Sequence, residues 1–301
     1  MRSLVVVAFC FITATGKYSR GYKRNAVSRI GMRTIEIAQE EIDQVLSDGV
    51  VVDWSVNATT AIKDQGSCGS CWAFSTIEGV ESSLFLQSGV LPESLSTEEL
   101  VDCDKVDAGC NGGDIPTACR YLERKNVDTD ADYPDKSSKS GRTQSCSWDS
   151  GEYVAAVTSY SFAIPECSQG DCSNQDEYAL AAALKKYGPL SICVNSGEDQ
   201  TGDWAKYTSG IASGNCKAKA HLIDHCVQLV GVDTTASEPF WKVRNSWGSS
   251  WGEDGFIRLP FGQDNYCCVA CEAVIIEATY TSTADMEKQT QKAPVITFSS
   301  T

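Results

Sequence analysis

Hydrophobic positions follow a helical period in the first half of the chain and form short apolar runs in the second half. From Cys71 to Gln87 the apolar residues share one helical face, with Ser70 before the segment and Gly89 after it. These flanking residues predict a helix that Ser70 caps and Gly89 ends. Ser96 and Glu99 form a capping box, which predicts the start of another helix.

Helical spacing occurs again on both sides of this region. Residues 35–46 fit a short amphipathic helix that ends near Gly49, and residues 176–187 fit a helix that Gly188 and Pro189 end. The segments that follow are short and rich in apolar and β-branched residues, which is typical of strands. The predicted strands are Leu190–Val194, Cys226–Val232, Phe240–Arg244, Phe256–Leu259 and Val269–Ile276. Helices come first and strands follow, and this order predicts an α+β fold with two lobes.

The two ends of the chain differ from the region between them. Residues 1–16 combine an early arginine, an apolar run and small residues at a cleavage position, which together predict a removable signal peptide. Residues 17–49 are expected to be a short, atypical propeptide, and its first part, residues 17–33, is basic without any acidic residue. Residues 281–301 are polar and mixed, and we expect a loose tail there.

Composition narrows the function classes. The 301 residues include 25 basic and 40 acidic side chains, and the net charge of −15 argues against a nucleic-acid-binding protein. After the signal peptide, no apolar run reaches the roughly 18 residues that a membrane span needs. Fifteen cysteines are too many for an ordinary enzyme of a reducing compartment. Disulfides are therefore expected, together with a location that is secreted or in a lysosome or another acidic vesicle.

The densest group of reactive residues is the run Gln65–Ser75, in which Cys71 begins a predicted helix. The positive end of the helix dipole stabilises a thiolate at that position. Alternatively, Cys68 and Cys71 are two disulfide partners or two metal ligands in a Cys-x-x-Cys motif. A zinc site needs a second ligand pair, and Cys103 and Cys110 are spaced wrongly for one, so no metal is expected.

This run resembles the active-site signature of the papain family of cysteine proteases. Residues 223–231 resemble the histidine strand of that family, residues 241–253 resemble its asparagine segment, and Cys110–Gly113 match its substrate-groove glycines. The resemblance covers roughly residues 50–280. It implies a papain-like fold with a mainly helical left lobe, an antiparallel β-barrel right lobe and an active site in the cleft between them. The lobes are expected at about 60–160 and about 161–280.

The resemblance also implies the catalytic roles. Cys71 is expected to be the nucleophile, and His225 is expected to be its general base and later the general acid. Asn245 orients the imidazole through its side-chain carbonyl, while Gln65 donates to the oxyanion together with the backbone N–H of Cys71. The expected chemistry is a thiolate–imidazolium pair that forms a thioester acyl-enzyme, so the implied activity is that of a cysteine endopeptidase without a cofactor.

A second pocket of the substrate groove is implied in the same way. Glu272 lies five positions after Cys267 and is expected at the pocket floor, where a carboxylate accepts arginine beside bulky apolar side chains. Asp114 is expected to add negative potential at the rim, and the alternative for Glu272 is an outward-facing position in a strand. The groove residues implied by the family are Gly112, Gly113, Asp114, Ile115, Cys193, Asp224, Cys226, Trp247 and Glu272. Trp247 is expected to shield the contact between Asn245 and His225 from water.

Several disulfides follow from the resemblance. It implies the pairs Cys68–Cys110, Cys103–Cys146 and Cys216–Cys267. A local bridge is expected between Cys167 and Cys172, which enclose a short loop with a glycine. Cys193 and Cys226 are expected to be neighbours in the wall of the second pocket, either bridged or as two reduced thiols. No pairing is predicted for Cys119, Cys268 and Cys271.

Two further interpretations stay open. One is a catalytically inactive homologue that binds peptides or a protein partner, and the other is a disulfide-rich secreted scaffold without catalysis.

No His-His pair lies between Cys110 and Cys146, so the occluding loop of exopeptidases such as cathepsin B is not expected. The expected partners are protein and peptide substrates and cystatin-like inhibitors, with no nucleic acid, no membrane span and a monomeric state. Asn57 begins the Asn-Ala-Thr sequence of a glycosylation acceptor.

Overall fold

The structure, a computed structural model, describes residues 19–147, 154–197, 204–282 and 285–287. The predicted signal peptide and most of the predicted C-terminal tail lie outside these ranges. Among the residues described, no helix is both long enough and apolar enough to pass through a membrane.

Most of the helices lie in the first half of the described chain. They are α1 (Gln39–Asp48), α2 (Cys71–Ser88), α3 (Thr97–Cys103), α4 (Ile115–Lys125), α5 (Ser137–Ser140) and α6 (Glu177–Tyr187). Helix α2 begins at the predicted residue, and Gly89 ends it in the left-handed conformation. Ser70 precedes α2 but its side chain accepts no bond from the helix, because its backbone has left the extended conformation of a capping residue. In the predicted capping box, Ser96 Oγ accepts the Glu99 N–H at 3.1 Å, whereas Glu99 itself accepts from Asp128.

The strands form one antiparallel sheet. They are β1 (Val51–Asp53), β2 (Ala155–Phe162), β3 (Leu190–Val194), β4 (His225–Asp233), β5 (Phe240–Arg244), β6 (Phe256–Pro260) and β7 (Glu272–Tyr280). The order is β2-β7-β3-β4-β5-β6, and β1 pairs with β4. The last strand starts at Glu272 rather than at the predicted Val269, because Cys267 and Cys268 have positive φ angles that turn the chain just before it.

The predicted α+β architecture is confirmed, but the sheet is not closed into the predicted barrel. In the described residues, β2 and β6 lie at opposite ends of the strand order. The physical reason is that helices cover both faces. Ile77 of α2 shares one apolar cluster with Ile276 of β7, whereas Leu180 of α6 shares the other with Leu229 of β4. A sheet covered in this way buries its apolar side chains without closing on itself.

The cleft lies where the start of α2 meets the start of β4. An additional segment, residues 19–33, crosses this cleft and is called the strap below. Its backbone pairs with the helical side through Tyr22 and Gly113, and the Tyr22 N–H donates to the carbonyl of Asp224 on the sheet side. The strap therefore lies against both walls of the cleft.

Candidate active site

Cys71 is the first residue of α2 and is fully buried. The loop before it is held by the Cys68–Cys110 disulfide and by the Gly69 N–H, which donates to the Cys110 carbonyl at 3.0 Å. A Cβ on Gly69 would lie 2.6 Å from that carbonyl oxygen, so the close approach requires glycine. The backbone groups of Cys226, Gly21 and Trp72 act to lower the pKa of the thiol. The sulfur thus lies beside the backbone that carries His225.

His225 is the first residue of β4 and is held by a side chain from the loop after β5. Its Nε2 lies 2.8 Å from Asn245 Oδ1, while the buried Nδ1 has no hydrogen-bond partner. Asn245 Oδ1 also accepts the Ser246 N–H at 2.8 Å, which fixes the amide. The ring of Trp247 stacks on the imidazole at a centroid distance of 4.8 Å. The arrangement leaves one imidazole nitrogen available for proton transfer.

Gln65 is fully buried on the helical wall. Its Nε2 donates to the Cys68 carbonyl at 3.0 Å, and its Oε1 accepts the Ser246 hydroxyl at 2.7 Å. This second bond orients the amide so that its N–H groups lie on the side of the cysteine loop. An amide donor fixed at this position, together with the N–H at the start of α2, can stabilise a developing oxyanion.

Charge is disfavoured at both reactive groups while the strap covers them. Burial raises the pKa of Cys71 to about 12, against the opposing hydrogen bonds from the backbone. Burial also lowers the pKa of His225 to about 3, although the bond from Asn245 acts in the opposite direction. Burial under the strap therefore favours a neutral thiol and a neutral imidazole over the predicted ion pair.

The strap binds the backbone of the groove glycines. The Gly113 N–H donates to the Gly21 carbonyl at 2.9 Å, and the Lys23 N–H donates to the Gly113 carbonyl at 2.8 Å. A Cβ on Gly113 would lie 2.5 Å from the Trp72 ring, and Gly112 has a φ of +108°. Both glycines are thus required to keep a backbone edge open at the groove. The strap binds this edge as an added strand.

The second pocket is built by strand register. Cys193 of β3 lies opposite Cys226 of β4 on one side and opposite Glu272 of β7 on the other. Cys193 and Cys226 are bridged, which decides between the two predicted states. Glu272 is buried rather than turned to solvent, with 1% of its surface exposed. Its Oε2 accepts the hydroxyl of Tyr22 at 2.9 Å, and its Oε1 contacts the guanidinium of Arg29.

Asp114 faces Glu272 across the same guanidinium. It is fully buried, contacts Arg29 through both carboxylate oxygens and accepts the Asn25 N–H at 2.6 Å. Burial raises the pKa of Glu272 to about 7, with Asp114 adding to the rise and Arg29 opposing it. Asp114 and Glu272 therefore lie close together, and both carboxylates contact Arg29 of the strap.

The remaining predicted groove residues take lesser positions. Asp224 accepts the backbone N–H of Ser196 at 2.7 Å and lies 3.6 Å from Arg20 of the strap. Ile115 is fully buried in the apolar cluster against which Tyr22 packs. Sequence reasoning missed the strap in the groove, whose only signal was the basic composition of residues 17–33 beside an acidic remainder.

The structure contains each of the disulfides expected from the sequence. These are Cys68–Cys110, Cys103–Cys146, Cys167–Cys172 and Cys216–Cys267, and two more pairs join Cys193–Cys226 and Cys268–Cys271. Among the described residues, Cys71 and Cys119 are the free cysteines, and both are buried. The sulfurs of Cys172, Cys268 and Cys271 lie within 4.8 Å of one another, but all three are bridged.

Comparison with known proteins places this geometry in context. The family described as papain family cysteine protease matches residues 50–276. The chain is 34% identical over 259 residues to digestive cysteine proteinase 1 of Homarus americanus, which covers 84% of this chain and 72% of the relative. It is 39% identical over 235 residues to cysteine proteinase 15A of Pisum sativum, which covers 72% of this chain and 59% of that protein.

Solved structures give the same result. Digestive procathepsin L 3 of Tenebrio molitor larval midgut superposes with a TM-score of 0.69 at 29% identity, over 86% of this chain and 76% of that chain. The bromelain protease of Ananas comosus in complex with the E64 inhibitor superposes with a TM-score of 0.63 at 29% identity, over 75% of this chain and 97% of that one.

Proposed function

The chain belongs to the papain family of cysteine proteases, and we propose that it is an endopeptidase held latent by its own strap. One observation carries the proposal. His225 bonds Asn245 through Nε2 at 2.8 Å and keeps Nδ1 without a partner, in a wall that faces the thiol at the start of α2. An inactive homologue has no use for a buried imidazole with one unpaired nitrogen, because an unsatisfied buried polar atom is costly.

The proposed reaction uses only these side chains. His225 takes the proton of Cys71, and the thiolate attacks the carbonyl carbon of the peptide. The Cys71 N–H and Gln65 Nε2 stabilise the oxyanion of the tetrahedral intermediate. The intermediate expels the amine, which takes its proton from the imidazolium, and a thioester remains. Water then attacks the thioester with His225 as base, which releases the acid and restores the thiol.

Latency follows from the position of the strap. Its Gly21 lies against the reactive loop so closely that a Cβ would be 1.9 Å from the Gly69 carbonyl oxygen. Trp247 Nε1 donates to the Ser19 carbonyl at 3.2 Å, so the strap also extends past His225. Departure of the strap admits water to both reactive groups, removes the burial that keeps them neutral and permits the ion pair.

Covalent labelling tests the proposed activity. The full chain is treated with E64 before and after cleavage of the strap at about pH 5.5, and the label is mapped by mass spectrometry. We expect labelling of Cys71 after cleavage and much slower labelling before it. Cys119 is the internal control, because it is a buried free thiol in α4 without an imidazole partner. Absence of label on Cys71 after cleavage would favour the inactive homologue.

We also propose that the second pocket accepts arginine as well as bulky apolar side chains. The supporting contacts are those of the strap, since Glu272 binds a tyrosine hydroxyl and a guanidinium at the same time. The test compares fluorogenic dipeptide substrates Phe-Arg and Arg-Arg on the activated wild type and on Glu272→Ala. Loss of Arg-Arg cleavage with retained Phe-Arg cleavage is expected. Equal effects on both substrates would overturn the assignment.

The remaining proposals concern the location of the protein, its glycosylation, its oligomeric state and its inhibitors. The relatives include digestive proteinases, which supports a secreted enzyme or one of an acidic vesicle. Asn57 is partly exposed. The hydroxyl of Thr59, the third residue of the glycosylation sequence, donates to the Ser55 carbonyl at 2.9 Å, so glycosylation of Asn57 would need the local turn to open. A mass decrease after glycosidase treatment of the secreted protein would establish it. Monomeric state and inhibition by cystatin-like proteins stay predictions.

A further inference from the structure

Beside the second pocket lies a carboxylate that the sequence analysis did not single out. Glu166 follows β2, and 12% of its side chain is exposed. Its Oε1 accepts from Arg24 Nη2 at 2.7 Å, from Arg24 Nε at 3.1 Å and from Arg29 Nε at 2.8 Å. One carboxylate oxygen thus receives three N–H donors from two arginines, and both arginines belong to the strap.

The backbone fixes Glu166 next to the pocket. The Ala163 N–H donates to the Ala273 carbonyl, and the Cys167 N–H donates to the Cys271 carbonyl, each at 2.9 Å. These bonds run along the start of β7, so Glu166 is held beside Glu272. The Cys167–Cys172 disulfide then closes the loop that follows. Glu166 is therefore a rigidly placed group rather than a mobile surface carboxylate.

The strap shows how an extended peptide reaches Glu166. Tyr22 occupies the second pocket and Gly21 lies over Cys71. Arg24 is two residues beyond Tyr22, farther from the thiol, and side chains two apart in an extended segment point to the same side. The strap thus runs away from Cys71 in the N-to-C direction, whereas the acyl part of a substrate runs away from it in the C-to-N direction. In such a substrate, the side chain two residues N-terminal to the one in the second pocket takes the place of Arg24 beside Glu166.

Charge balance indicates which side chain that is. In the described part of the chain, every cation paired with Asp114, Glu166 or Glu272 comes from the strap, as Arg24 or Arg29. Once the strap leaves, these carboxylates keep no cation of the remaining enzyme. A cavity of about 480 Å³ lies beside the strap and is lined by Tyr22, Arg24 and loop residues 168–170.

We propose that Glu166 is a specificity-determining residue that binds a basic side chain of the substrate, two residues N-terminal to the one in the second pocket. The inference rests on the proposed function. The guanidinium of a substrate arginine takes the place of Arg24 and meets Glu166 through Nε and Nη2. Arginine fits this site better than lysine, because its planar fork supplies both donors to one carboxylate.

The experiment uses two peptide substrates that differ only in charge at this position. Arg-Ala-Phe-Arg and citrulline-Ala-Phe-Arg, each with a fluorogenic leaving group, are compared on the full chain after activation, with active sites titrated by E64. Wild type should prefer the arginine peptide by about fivefold in kcat/KM, in line with a partly exposed charge pair. In Glu166→Gln the preference should fall to near unity, and added salt should reduce it in wild type.

A matched control comes from the same loop. Asp171 is exposed and contacts Ser173, so Asp171→Asn removes one negative charge without touching the strap contacts. This variant should keep the wild-type preference for arginine. If Glu166 merely anchored the strap, Glu166→Gln would hasten activation and leave the preference intact, which would overturn the proposal. Turnover of neither peptide, without E64 labelling, would instead reject the proposed function.

Discussion

The two walls of the cleft recognise peptides in different ways. On the helical wall, Gly113 binds the strap through both of its backbone polar groups, next to the carboxylate of Asp114, which contacts Arg29. The sheet wall offers side chains, namely His225 and Glu272, which come from different strands and meet through register. A backbone edge binds any peptide, whereas side chains select among peptides. The contacts of the strap with the two walls therefore differ in how far they depend on the side chains of the strap.

The walls also differ in how they are held. A disulfide and close glycine contacts fix the helical wall, where Gly69 and Cys110 are joined by backbone bonds beside the Cys68–Cys110 bridge. On the sheet wall, the Cys193–Cys226 bridge joins neighbouring strands that already pair. The first bridge holds a loop outside any strand pairing, and the second adds to a ladder that has its own hydrogen bonds.

The largest expected effect comes from removing the one reactive group that each wall supplies. Cys71→Ala and His225→Ala should each lower kcat/KM by more than about a thousandfold, since nucleophile and base act as a unit. Rates of the activated variants on a Phe-Arg substrate measure this effect, and circular dichroism checks the fold. The pH profile of wild type should be bell-shaped. Substantial turnover by either variant would contradict the catalytic role proposed for the residue that it replaces.

The next effect concerns the residues that support these groups. Asn245→Ala should leave measurable activity, with a loss of about tenfold to a hundredfold, because Asn245 orients the imidazole without transferring protons. Gln65→Ala removes an oxyanion donor from the helical wall and should cost about a hundredfold, mostly in kcat. Steady-state kinetics of both variants make the comparison. A loss for Asn245→Ala equal to that for His225→Ala would assign it a more direct role.

The walls differ in how far the sequence predicts them. The start of α2 and its end at Gly89 follow from local spacing, and both were predicted correctly. The contact of Cys193 with Glu272 depends on pairing between strands far apart in sequence, so only the family resemblance indicated it. The strap contacts of Arg24 and Arg29 with Glu166 could not be predicted, because composition shows a basic segment but not its place of binding. The barrel, which the family resemblance implied, was wrong, because helices cover both faces of the sheet and it stays open in the described residues.

A third prediction concerns the bridges of the two walls. Replacing Cys193 and Cys226 by alanine should lower the free energy of unfolding by about 2 kcal/mol and change mainly KM, because the paired strands keep the pocket close to its shape. Replacing Cys68 and Cys110 should lower kcat as well, since the loop before Cys71 loses its support. Urea unfolding and steady-state kinetics of both double variants provide the data. A larger loss of kcat in the sheet-wall variant would reverse the comparison.

The smallest effect concerns the response of the helical side to pH. On the helical side, burial raises the pKa of Glu99 to about 8 from its ordinary value of 4.5, with Asp128 adding to the rise. A carboxyl whose pKa is higher in the folded state binds more protons when folded, so the unfolding free energy falls as pH rises from about 5 to about 8. Glu99→Gln keeps the acceptor for the Asp128 N–H and removes the titration. It should flatten this pH dependence by on the order of 1 kcal/mol per pH unit. Urea unfolding of the full chain, made inactive by Cys71→Ala to prevent self-digestion, measures the slope.

Glu123→Gln, at an exposed position of α4, is the matched control and should leave the slope as in wild type. An unchanged slope in Glu99→Gln would show that protonation of Glu99 does not contribute to the pH dependence of the unfolding free energy.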